Sequence, residues 1–246
     1  MSANPYSIET LLTDGDFVTR GVTFLLIAMS IASWLVIVTK SLQLWRYRHS
    51  SKAAGQTFWD TTSVSEGLST LGKENPFSDI AQAGVTAMRH HTAHKGHLHD
   101  QLTVSDWVTL SLRQAIDETT AKLQAGMAIL ASVGSTAPFV GLFGTVWGIL
   151  HALVSIGTSG QAGIEQVAGP VGEALIMTAL GLAVAIPATF GYNVLVRGNK
   201  NIIAKLNKFG FDLHALFVTG ARSTDETKNA PAKLVAVPVV ANMGAA

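Results

Sequence analysis

The sequence predicts an all-α membrane protein: three transmembrane helices, the second of them long and extending into a mostly helical cytoplasmic insert. Three observations point there. Charged residues are 13% of the 246 and apolar residues 48%, about half the charge usual for a soluble domain, and mean hydropathy is +0.34. The apolar residues fall in three blocks rather than being spread at core periodicity. Polar side chains sit inside the second and third blocks, and three spans are too few to enclose a water-accessible path, so those polar faces need other copies or partners.

Residues 1–17 hold Glu9, Asp14 and Asp16 and no basic residue, so they lack the positive leader of a cleavable signal peptide. Residues 18–40 are the first span. Between Gly21 and Thr39 there is no charge, and the stretch is roughly the 20 residues a helix needs to cross about 30 Å of hydrocarbon. Lys40, Arg46, Arg48, His49 and Lys52 follow, with Trp45 and Tyr47 at headgroup level. This excess of Lys and Arg marks the cytoplasmic side and puts the amino terminus outside.

Residues 41–126 form the cytoplasmic insert, broken around Glu74-Asn75-Pro76 because proline forbids a continuing helix. Val104, Val108, Leu112, Ala115, Thr119 and Leu123 recur at three and four residues, the pattern of an amphipathic helix. With no breaker read after it, that helix is expected to run on into the second span, residues 127–156. A short outer loop, 157–169, leads to the third span, 170–196, with Pro170 in the first turn where its missing donor has no intrahelical partner. Arg197, Lys200, Lys205 and Lys208 then mark cytoplasm a second time. The remainder, 197–246, reads as a helix followed by a disordered tail whose VAVPVV is too short to span.

The chemistry sits in the second and third spans. Gly134, Pro138, Gly141, Thr145, Gly148 and Ala152 lie at spacings of four and three, which places them in one stripe of a helix. Ala174, Thr178, Gly181 and Ala185 make a similar stripe. Small residues let helices approach closely in lipid, so both stripes suit packing; alternatively Thr145 and Thr178 face a polar lumen. A threonine in a span also often bonds its own helix backbone. Glu173 is a carboxyl group at the outer start of the third span. Desolvation favours its neutral acid and the helix dipole favours its anion, opposed influences that suit a group changing protonation state, though an interfacial anion fits as well. Pro138 and Pro187 free carbonyls one turn earlier, and structural kinks are expected there. His151 suits an interfacial role.

Other classes are excluded by what is missing. With no cysteine there is no disulfide, thiolate metal site or cysteine nucleophile. The net charge of +1 is too small for nucleic acid binding. The spans hold no paired carboxylate, HExxH or nucleophile elbow, so an enzyme is not expected, nor a cofactor. His90, His91, His94, His97 and His99 crowd into ten residues; without a carboxylate or cysteine partner at a recognisable spacing, a solvated turn is expected rather than a metal site.

The runs STAPFVGLFGTVWGILHALVSIG and VAGPVGEALIMTALGLAVAIPATFGYN, from Ser135 to Asn193, resemble the ExbB/TolQ branch of the ExbB/TolQ/MotA family. GPVGEALIMTALGL is most similar to the ExbB wording. The resemblance implies a proton-channel subunit of the bacterial inner membrane, amino terminus periplasmic and carboxyl terminus cytoplasmic. Such a subunit converts proton-motive force into work done through TonB on outer-membrane transport, as in iron-siderophore uptake. It implies a homo-oligomeric ring of five copies with spans of ExbD in its pore, Thr145 and Thr178 lining the lumen, and Glu173 as the functional carboxylate. A TolQ-like role in the Tol-Pal envelope-maintenance system uses the same physics with other partners. Lys40, Arg46, Arg48, Arg197 and Lys200 are expected to meet anionic phospholipid headgroups.

Overall fold

The computed structural model describes residues 16–61, 63–72, 75–93, 103–159 and 164–220. Six helices account for nearly all of them: α1 Phe17–Gln56, α2 Val64–Leu71, α3 Pro76–Ala93, α4 Val104–Gln124, α5 Met127–Ser159 and α6 Ile164–Thr219. Among the described residues three stretches are long and apolar enough to cross a membrane: Phe17–Lys52 in α1, Val104–Thr158 over α4 and α5, and Ala168–Thr219 in α6. The 56 residues of α6 amount to about 84 Å at 1.5 Å per residue. That far exceeds the hydrocarbon thickness, so α6 serves both a span and the helical insert.

α5 and α6 pair most extensively, α1 lies against both, and α3 and α4 pack on the far half of α6. One continuous core results, from Leu26, Leu130 and Met177 at one end to Ile80, Leu206 and Leu213 at the other. Helix starts in the insert follow local chemistry. Ser63 accepts from the Glu66 amide at 3.2 Å and Thr103 from the Asp106 amide at 3.1 Å, each meeting an amide the helix cannot satisfy. The break at Pro76 is stitched by buried Asn75, whose Nδ2 donates to the Leu71 carbonyl at 3.0 Å while its Oδ1 accepts from the Phe77 amide at 3.1 Å. Phe209 on α6 then receives Phe58, Trp59 and Phe77 edge-on, at centroid distances of 5.1, 5.6 and 5.3 Å, the favoured geometry for aromatic pairs.

Two expectations about helix limits are corrected. The rod from Val104 to Thr158 is present, but it is not one helix. Gly126 has φ +83°, a left-handed conformation that glycine adopts without the Cβ penalty, and it separates α4 from α5. In a continuous helix the carbonyls of Lys122 and Leu123 would bond the amides of residues 126 and 127. Here Lys40 Nζ donates to the Lys122 carbonyl at 2.7 Å and Asn199 Nδ2 to the Leu123 carbonyl at 3.0 Å. α1 and α6 thus supply the bonds the break removes. The second correction concerns the third span: α6 begins at Ile164, so Pro170 is inside the helix, not in its first turn. Likewise α5 extends to Ser159, so most of the expected loop 157–169 is helical, and residues 160–163 lie outside the described residues.

The amphipathic stripe of α4 buries Val108, Leu112, Thr119 and Leu123, with Ile116 added, while Val104 stays exposed. His90 and His91 belong to α3 rather than to a turn, and His90 stacks on Trp107 at 5.8 Å. His94, His97 and His99, and the tail beyond Gly220, lie outside the described residues.

Candidate functional site

The site begins with how closely α5 and α6 approach. They run antiparallel, and a Cβ added to Gly141 would lie 2.6 Å from the Met177 carbonyl oxygen and 3.1 Å from the Cα of Gly181. The reverse holds too, since a Cβ on Gly181 would lie 2.6 Å from the Ala137 carbonyl oxygen. Further along, one on Gly144 would meet Met177 Cβ at 3.1 Å and one on Gly148 would meet Ala174 Cβ at 3.2 Å. Only glycine permits this backbone contact. Pro138 and Pro187 lie within the same two helices without interrupting either. α1 joins through Thr23, which is buried, donates to the Thr19 carbonyl at 2.9 Å and contacts Met177 Sδ at 3.6 Å.

Thr145 lies along α5 between Gly141 and Gly148, is 6% exposed, and donates from Oγ1 to the Leu142 carbonyl at 2.7 Å. Its hydroxyl is therefore satisfied within its own helix. Thr178 is half-buried, its Cα 3.2 Å from where a Gly141 side chain would begin. No hydrogen bond joins the two hydroxyls among the described residues. Glu173 is half-buried and lines a cavity of about 230 Å³ whose other polar walls are Asp16, Thr19 and His151.

The cavity gathers groups the sequence leaves 135 residues apart. Asp16 precedes α1, and its carbonyl accepts the Arg20 amide at 2.9 Å. Its carboxylate lies 3.0 Å from His151 Nε2 on α5. The indole of Trp147, one turn earlier, is tilted against His151 at 5.8 Å. Trp147 Nε1 is buried with no hydrogen-bond partner among the described residues, an uncommon condition for a buried donor. Among the described residues no three His, Asp or Glu side chains converge as they would around a metal ion.

The basic residues separate into two kinds. Arg46, Arg48, Arg197 and Lys200 are exposed. Lys40, expected among them at the headgroups, is half-buried and spans Gln43 Oε1, at 3.0 Å, and the Lys122 carbonyl. It ties α1 to the carboxyl-terminal end of α4.

Residues 73–208 match the MotA/TolQ/ExbB proton channel family. Among curated relatives, the biopolymer transport protein ExbB of Xanthomonas campestris pv. campestris is 44% identical over 221 residues, 87% of each chain. That of Neisseria meningitidis serogroup B is 39% identical over 210 residues, 85% of this chain and 96% of the relative. The Tol-Pal system protein TolQ of Pseudomonas aeruginosa is 32% identical over 225 residues, 89% of this chain and 96% of the relative.

Proposed function

The chain belongs to the MotA/TolQ/ExbB proton channel family, and we propose that it is an ExbB-like inner-membrane subunit coupling proton flow, with an ExbD-like partner, to TonB-dependent transport across the outer membrane. The observation that carries this reading is Glu173, a carboxyl group half-buried on a polar cavity, on a helix pair whose backbones meet at Gly141 and Gly181. An ionisable group at membrane depth is costly and marks a functional route.

One carboxylate near one interface cannot carry a proton across about 30 Å. A partner's ionisable group, on a helix enclosed by a ring of copies of this chain, completes the route, with Glu173, Thr178 and Thr145 along it. The exposed apolar surface also needs a cover. Phe139, Phe143 and Val146 on α5 and Ile186 and Phe190 on α6 are exposed in one chain, and lipid or neighbouring copies would cover them. Each elementary charge crossing 100 mV releases about 2.3 kcal/mol, so a few protons suffice to remodel a helix interface. The amino terminus is periplasmic and the carboxyl terminus cytoplasmic in this reading, from the basic clusters at Arg46 and Arg197.

The test is iron-siderophore uptake by cells whose sole copy carries Glu173→Ala at normal protein level. Uptake is expected to fall to the level of cells lacking the protein; undiminished uptake removes Glu173 from the mechanism. The likeness to a TolQ protein over 89% of the chain supports a second reading, a Tol-Pal role. Co-purification with a TolR-like rather than an ExbD-like partner would establish it.

A further inference from the structure

We propose that Asp16 and His151 form a proton relay at the mouth of the cavity lined by Glu173, passing protons between the outer aqueous phase and the Glu173 carboxyl group. The inference rests on the reading of Glu173 given above and adds the route by which that group meets water.

Three titratable side chains line the cavity, Asp16 from just before α1, His151 from α5 and Glu173 from α6, with no Lys or Arg in its lining among the described residues. His151, with 59% of the side chain exposed, and Asp16, with 47%, are the more open two. Glu173 is more enclosed, and among the described residues it makes no direct hydrogen bond to either. The cavity of about 230 Å³ has room for several water molecules at about 30 Å³ each, and such waters bridge the gap.

Imidazole suits this position because its two ring nitrogens are distinct, so that one can be held by an acceptor while the other takes up and releases a proton. Asp16 Oδ2, 3.0 Å from Nε2, accepts the hydrogen on that nitrogen and leaves the other as acceptor. A hydronium ion of the outer phase gives its proton to that nitrogen, one of its O–H bonds breaking as the N–H forms and water being left, and the Asp16 carboxylate balances the imidazolium charge. The same N–H then breaks as the proton passes through cavity water to a Glu173 oxygen, giving the carboxylic acid and restoring the neutral ring. No charge is left over, and no other reactant is needed. Trp147, tilted against the ring at 5.8 Å, is within the range at which an aromatic ring attracts a cation.

The test uses the full chain reconstituted into liposomes with its ExbD-like partner, with proton flux read by an internal pH dye. His151→Ala is expected to lower flux about tenfold at pH 7.5. That is less than the 10²–10⁴ of a proton donor acting at a reacting bond, because water still reaches the cavity. The loss should shrink towards pH 5.5, where free protons are abundant, and imidazole added on the Asp16 side should restore the flux. His151→Asn, closer in size and polarity, guards against misassembly and should lose flux in the same way. Unchanged flux in both variants, or a loss that is independent of pH and not rescued by imidazole, overturns the relay. Glu173→Gln run alongside separates the two ideas: if it leaves flux intact, the Glu173 reading itself fails.

Discussion

Gly141 and Gly181 meet backbone to backbone across α5 and α6, so close that a methyl group on either would overlap a carbonyl oxygen of the other helix. Gly141→Ala must therefore push the helices apart or distort them, at a cost of about 1–3 kcal/mol for overpacking. Thermal unfolding in detergent should show a lowered midpoint. Gly157→Ala, at a site with nothing within 4 Å, is the control and should be neutral or slightly stabilising. Equal midpoints for the two variants would contradict the tight seam.

The junction at Gly126 yields a second expectation. Its left-handed φ costs about 1–2 kcal/mol for a residue with a Cβ, while Asn tolerates it better, so Gly126→Ala should destabilise more than Gly126→Asn. Asn199→Leu should cost about 1–3 kcal/mol by orphaning the buried Leu123 carbonyl. Chemical denaturation with helicity as readout checks the order of the three.

That junction also shows where sequence reading stops. The spacing of Gly134, Gly141 and Gly148 is legible because helix geometry alone puts them on one stripe. The break at Gly126 is not, since a lone glycine between a polar and an apolar helix looks like one in a helix interior. Its signature is distributed: a donor on α1 and another on α6, each far away in the chain, must be present to meet the freed carbonyls. The same holds for Lys40, whose type and place after a span fit a headgroup ligand until its acceptor is known. His151 reads as an interfacial residue and Asp16 only as one acid of the amino-terminal segment, and only the antiparallel return of α5 makes them a pair.

Arg46, Arg48, Arg197 and Lys200 remain exposed, and each Lys or Arg near an anionic surface is worth about 1 kcal/mol. Native mass spectrometry in mixed lipid should show a preference for anionic species that weakens when Arg46 and Arg197 are changed to Gln. Lys40→Met should leave that preference as it was, because its ammonium is held by the Lys122 carbonyl. A lipid preference lost with Lys40 alone would reverse the assignment.

Trp147 offers a further test. Its Nε1 is buried with no hydrogen-bond partner among the described residues, and a buried donor left unpaired costs about 1–3 kcal/mol. Trp147→Phe removes that donor together with part of an apolar ring, so thermal unfolding in detergent should show a midpoint close to that of the natural chain. A clearly lowered midpoint would mean that the indole N–H is held by a partner.

The central claim is that Glu173 carries protons along a route built by this chain and its partner. Proton flux at fixed membrane potential through the reconstituted complex, compared between the natural chain and Glu173→Gln at equal incorporation, addresses it most directly. The account predicts that flux falls to the level of liposomes without protein, because the amide cannot take up and release a proton. Flux equal to that of the unaltered complex would contradict it.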